Sequence, residues 1–192
     1  MDIEPITSVD DLIGVLAEGA SAFDTPGAAV GSGAVADVEC IDLLSHALQC
    51  AHEVSLVHPD DVELQAAALV HDLGHQLVPG DDAGHGVAGA AAVRGLLGDR
   101  VARLVEYHVP AKRYLVTVDP DYRATLSPVS IRTLENQGGT LTPDEVAEHA
   151  QLGDWSAGLD LRRADEAAKV PGRHVPGLAH WHRVLTRLVT HP

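Results

Sequence analysis

In ALVHDLGHQL, residues 68–77, an apolar run meets chemistry. Ala66 through Val70 is followed by His71, Asp72 and, after a Leu-Gly step, His75. A segment that has been burying alanine and leucine presents an imidazole beside a carboxylate, and buried polar groups need partners. The chain holds twelve histidines. Three more sit in suggestive surroundings: His46 in LLSHALQCA, His85 in AGHGVAG and His108 in VEYHVPAKRYL. Asp165 lies in LRRADEAAKVPG. Taken singly, each has an ordinary reading as a hydrogen-bonded core residue. Together, around an adjacent His-Asp pair, they make a metal-ligand set. Imidazole plus carboxylate suits iron, manganese or another borderline divalent metal better than calcium or a structural thiolate zinc. A carboxylate beside a histidine can bridge two metals, and the other residues then complete a two-metal site.

The elements that must position these groups read as helices, without the period-two alternation of strands. Ser8 caps a helix over about 9–18. Residues 19–37 are rich in Gly, Ala and Ser and read as a long mobile loop, of a length that suits either a functional lid or a simply disordered segment. A helix over 40–55 carries Ile41, Leu44, Ala47, Leu48 and Ala51 on one stripe. The next, 60–71, ends at the His-Asp pair. Residues 84–97 form a small-residue helix stopped by Gly98. A helix over 99–109 is expected to end at Pro110. Ser127-Pro128 starts a helix that ends at Gly138-Gly139. Thr142 to Glu145 is a capping box opening a helix to about 151. Helices over 155–169 and 176–190 complete an all-α bundle, whose sites are built from inward side chains of facing helices.

Bulk properties narrow the function. The 192 residues suit one domain, and 45% hydrophobic residues exclude a disordered chain. A net charge of −15 argues against nucleic acid or an anionic membrane as partner. An anionic substrate must therefore be drawn by a local pocket. No apolar run approaches the roughly 20 residues that span a bilayer. The N-terminus lacks the basic and apolar segments of a signal peptide. Cys40 and Cys50, with no CxxC partner, read as reduced thiols of a cytoplasmic protein.

The order His46, His71-Asp72, Asp165 resembles the metal signature of the HD-domain superfamily, and His85 and His108 resemble the additions of its dinuclear branch. HALQCA, HDLGH, YHVPAKRYL, LSPVSIRTLENQGG and LRR-D-AAKVPG, in that order, are similar to the mixed-valent diiron oxygenases that cleave organophosphonates. The resemblance covers roughly residues 39–172. It implies a single-domain HD-domain helical bundle: an N-terminal helix and flexible Gly/Ala-rich loop in 1–38, a metal-binding core of 39–172 and a C-terminal helix in 173–192.

The resemblance implies further that His46, His71 and Asp165 hold one iron, that His85 and His108 hold the other, and that Asp72 bridges them. The cofactors would be two irons as Fe(II)/Fe(III), with O2 as co-substrate. His75 and Lys112 would contact the phosphonate group of a small anionic substrate, which agrees with the preference of such an anion for a Lys charge and imidazole donors. Without the resemblance, Lys112 and Arg113 would read as surface charges after a helix end. Ser127, Ser130 and Gln137 lie around the helix that opens at Pro128, and a helix N-terminus suits an oxyanion. Ser130 is then a candidate phosphonate donor, or a simple capping hydroxyl. Glu39 matches a family Glu that meets a substrate amino group. Ala36 stands where the family has a gating Tyr, which puts that gate and the amino-bearing substrate in question.

The implied reaction oxidises a 1-hydroxyphosphonate with O2 and cleaves its carbon–phosphorus bond to release phosphate. The rival is a metal-dependent HD-domain phosphohydrolase acting on a small phosphate ester or nucleotide. Hydrolases that orient water with a Glu-Asp pair would need carboxylates near 75–76, where this chain has His75-Gln76. The GYP signature of the cyclic-dinucleotide hydrolases is absent from the chain. The oligomeric state is left open.

Overall fold

The computed structural model describes residues 3–22 and 41–190. Eleven α-helices run through them. They are α1 (Val9–Glu18), α2 (Leu43–Val57), α3 (Val62–Val70), α4 (Gly74–Leu77), α5 (His85–Leu97), α6 (Asp99–Val118), α7 (Pro120–Thr125), α8 (Pro128–Asn136), α9 (Pro143–His149), α10 (Trp155–Ala167) and α11 (Leu178–Thr190). The fold is all-α, as the periodicity predicts.

Short side chains at the helix starts define several boundaries. Ser8, Asp42, Asp61, Asp119, Ser127 and Thr142 each accept a backbone N–H of the first turn. Such a cap contributes about 1 kcal/mol. At Thr142 the partner Glu145 reaches back to close the capping box. Gly98, at φ +90°, ends α5 with its N–H on the Arg94 carbonyl and starts α6 at once.

Helix α3 runs through the centre, with every residue from Leu64 to Val70 buried. Helices α2, α6 and α10 pack around it, and α5 lies along α6. Trp181 and Leu185 of α11 join the same core, as do Leu12 and Leu16 of α1. The core is made of Ala, Leu and Val, which lets helices approach closely. Cys50 is a buried free thiol in this core; Cys40 lies outside the described residues.

Two boundaries depart from the sequence reading. The helix expected to stop before Pro110 instead continues as α6 to Val118. Proline inside a helix costs about 3 kcal/mol. Leu104, Val105, His108 and Val109 are buried before it, and Ala111, Lys112, Leu115 and Val116 after it. Burying large aliphatic side chains contributes about 1.5–3 kcal/mol each, which outweighs the lost hydrogen bond. The helix expected to run to His71 ends at Val70, and a turn leads into the separate helix α4 that carries His75. Helix α7 was not expected, although Asp119-Pro120 is a recognisable start. No helix among the described residues is long and apolar enough to cross a membrane.

Candidate metal centre and anion pocket

Four helices and one turn bring the ligand candidates together. Helix α2 delivers His46, the turn after α3 delivers His71 and Asp72, α5 begins with His85, α6 carries His108, and α10 carries Asp165. All but Asp72 are at most 5% exposed. They fall into two groups, His46 with His71 and Asp165, and Asp72 with His85 and His108.

Each of the four histidines is oriented by a backbone carbonyl. Nδ1 of His46 faces the Ala168 oxygen at 3.0 Å, and Nδ1 of His71 faces Ala68 at 2.8 Å. His85 faces Asp82 at 2.9 Å and His108 faces Val105 at 2.6 Å. A carbonyl only accepts, so each Nδ1 donates and each neutral ring turns an Nε2 lone pair inward. Nε2 of His46 lies 3.3 Å from Nε2 of His71, and that of His85 lies 2.7 Å from that of His108. Lone pairs at these separations repel unless a cation or a proton lies between them. The donor set therefore fits a pair of divalent metal ions.

Asp72 spans the two groups. Its Oδ2 lies 3.3 Å from His46 Nε2 and 3.2 Å from His71 Nε2. Its Oδ1 lies 3.5 Å from Nε2 of both His85 and His108. Asp165 addresses the first group alone, at 3.3 Å from His46 and 3.7 Å from His71. Burial works against ionisation of Asp72, yet His71, His46 and His85 hold its carboxyl well below the usual range. Burial and the neighbouring His85 keep His108 well below its ordinary value, so it stands neutral, as a ligand must.

Two glycines make this crowding possible. A Cβ on Gly86 would lie 3.0 Å from Cε1 of His108. A Cβ on Gly74 would overlap the backbone of His85. Helix α4 thus abuts α5, and His75 stacks on His85 with ring centroids 3.8 Å apart.

A cavity of about 40 Å³ opens beside this cluster. The sequence-predicted residues His75, Lys112, Ser130 and Gln137 line it. Lys112 is no surface charge: it is 4% exposed and its Nζ donates to Thr133 Oγ1 at 2.6 Å. Gln137 donates to the Asp82 carbonyl, and its own amide oxygen is buried with no partner among the described residues. Ser127 is the α8 cap, accepting the Ser130 N–H at 3.0 Å. The Ser130 hydroxyl proton goes to Glu166 at 3.0 Å, and the same oxygen accepts from Lys169 at 2.7 Å. Glu39 and Ala36 lie outside the described residues.

Sequence reasoning missed Arg162, Glu166 and Lys169. They lie three before, one after and four after Asp165, and that helix-like spacing was the available signal. Arg162 is buried, with Nε on the Tyr122 hydroxyl at 2.6 Å and its other nitrogens on Asp165 and Glu166. All three arms are committed to the protein, so Arg162 acts as a brace for Asp165. Lys169 stands just past α10, in a segment tied to α2. Gln49 clamps the Val170 backbone by both its amide atoms, at 2.8 and 3.1 Å.

A helical bundle with inward His and Asp around an HD pair is the architecture of an HD domain, and the HD-domain family profile matches residues 40–134. The hydroxymethylphosphonate dioxygenase of Gimesia maris is 38% identical over 162 residues, which covers 80% of each chain. The [1-hydroxy-2-(trimethylamino)ethyl]phosphonate dioxygenase (glycine-betaine-forming) of Leisingera caerulea is 31% identical over 159 residues, 79% of this chain and 81% of the relative. The chain belongs to the HD-domain oxygenase family of these dioxygenases, and it is an oxygenase.

Proposed function

We propose that this protein is a diiron oxygenase that uses O2 to cleave the carbon–phosphorus bond of a small 1-hydroxyphosphonate. The observation that carries the reading is Asp72, whose two oxygens face two separate imidazole pairs. His46, His71 and Asp165 would hold one iron, His85 and His108 the other, with Asp72 between. Bound there, an Fe(II)/Fe(III) pair supplies Lewis acidity toward substrate oxygens and the redox chemistry of O2. For hydroxymethylphosphonate the overall change balances as substrate plus O2 giving formate plus phosphate.

The chain's own residues bind and orient. Lys112, desolvated and held by Thr133, provides the positive charge for the phosphonate. His75, fixed by stacking on His85, faces the same cavity. The unpartnered Gln137 oxygen offers an acceptor for a substrate hydroxyl. Ile41, Leu43, Val109 and Val129 form an apolar wall that restricts water.

The same wall supports a small substrate. No Phe, Tyr or Trp is among the residues described around the cavity. A quaternary ammonium group is favoured by an aromatic cage, and the chain has one aromatic, Phe23, in the segment outside the described residues before α2. Hydroxymethylphosphonate, the substrate in the name of the Gimesia relative, suits this setting better than a trimethylammonium compound. The test is phosphate release and O2 uptake across hydroxymethyl-, amino- and trimethylammonium-bearing hydroxyphosphonates. Equal phosphate and O2 counts with the first are expected. Phosphatase turnover without O2 uptake, and no mixed-valent EPR signal after iron loading, would establish the hydrolase instead.

A further inference from the structure

Three side chains of α2 reach across to the segment that follows α10. His46, Gln49 and Glu53 share one face of the helix by their spacing. Nδ1 of His46 meets the Ala168 carbonyl at 3.0 Å. Gln49 takes both backbone groups of Val170, its Nε2 donating to the carbonyl at 2.8 Å and its Oε1 accepting the N–H at 3.1 Å. Glu53 pairs with Arg173 one turn further on.

The segment depends on such attachments. Residues 168–177 form neither helix nor strand, so their backbone groups lack the partners that a regular element supplies. Apolar burial does not hold Val170 in place, since it is 45% exposed. The Glu53–Arg173 pair is open to solvent, which weakens it. Gln49 is different: it is 1% exposed, and water does not compete for its two bonds. What it fastens has consequences in the site. Two residues before Val170, the Ala168 carbonyl orients His46. One residue before it, Lys169 lines the cavity and donates to Ser130 Oγ at 2.7 Å. Gln49 itself is not part of the cavity lining.

We propose that Gln49 is a positioning residue for the metal centre. By fastening Val170 it sets residues 168–170 against α2, so that Ala168 holds the His46 Nδ1–H and the Nε2 lone pair faces the other ligand candidates. With Gln49 removed, the carbonyl drifts and the His46 ring loses its fixed orientation. The inference rests on the reading of His46, His71 and Asp165 as iron ligands.

The test uses the full chain loaded with Fe(II) without oxygen, with iron affinity measured by competition against a chelator. Gln49→Met keeps the length of the side chain and removes both bonds. Groups that orient a metal ligand through hydrogen bonds change metal affinity by about 10–100-fold. Gln49→Met is expected to bind one iron about tenfold more weakly. Leu185→Ala, a truncation in the main core on α11, is the stability control. It is expected to melt lower and to keep its iron affinity within about threefold of wild type. Wild-type iron affinity in Gln49→Met overturns the proposal, and so does an equal loss of affinity in Leu185→Ala.

Should Gln49→Met fail to fold, amide hydrogen exchange on the wild-type chain decides, because coupling between the clamp and the iron is reciprocal. Iron loading is expected to slow exchange of the Val170 N–H several-fold more than that of the Gly98 N–H, which is bonded to Arg94 at the other end of α5 from His85. Equal slowing overturns the proposal. A wild-type chain that binds no iron would instead sink the metal reading, a result distinct from wild-type affinity in the variant.

Discussion

Gly74 lies so close to His85 that a Cβ built on it would stand 1.8 Å from the His85 carbonyl oxygen. The obstacle is backbone, at the first turn of α5, and cannot swing aside as a side chain would. Gly74→Ala must therefore part α4 from α5. Overpacking of a tight core costs about 1–3 kcal/mol. The variant is expected to melt several degrees lower and to hold less metal in the Asp72, His85 and His108 group. A metal content equal to wild type would show that the two helices can separate without moving His85.

Asp72 reaches both histidine pairs, whereas Asp165 reaches one. On the proposed diiron reading, Asp72→Ala is expected to lose both irons, and Asp165→Ala one. Metal analysis on chains loaded without oxygen separates the two. Two irons per chain retained in Asp72→Ala would remove it as the bridge.

Lys112 donates to Thr133 from a buried position beside the cavity. A hydrogen bond to a charged group contributes about 1.5–3 kcal/mol. Lys112→Met, which keeps much of the stem, is expected to raise KM for hydroxymethylphosphonate by roughly tenfold to a hundredfold with iron content unchanged. Loss of iron in this variant would make Lys112 a structural residue.

Away from the site, Arg100 joins Asp61, Glu63 and Asp154 across α3, α6 and the turn before α10. Its hydrogen bond holds Asp61 below the usual carboxylate range, and Arg103 and then Arg100 do the same for Asp154. Depressed carboxylates stabilise the fold above their unfolded pKa of about 3.9, and that contribution is lost as pH falls through the lower folded values. Solvent limits each such pair to about 1 kcal/mol or less. Melting temperature followed from pH 7 downward is expected to fall less steeply for Arg100→Met than for wild type below about pH 4. Parallel curves would show that the network has no net effect on acid stability.

The sequence by itself singled out the candidate ligands, because their residue types and the HD-domain resemblance are both legible along the chain. His46, His71, Asp72, His85, His108 and Asp165 all converge, and the caps at Ser8, Ser127 and Thr142 stand where short polar side chains precede apolar periodicity. Only the tertiary structure decided that α6 runs past Pro110, since Leu104 and Val105 before it join the main core, whereas Leu115 and Val116 after it pack with Tyr122, Leu126 and Leu134. It also decided the fate of Ser130. A helix N-terminus reads locally as free for an anion, but Glu166, thirty-six residues away along the chain, takes the Ser130 proton and the Ser127 amide. Such pairings depend on which helices face one another across the core, and local periodicity carries no information about that.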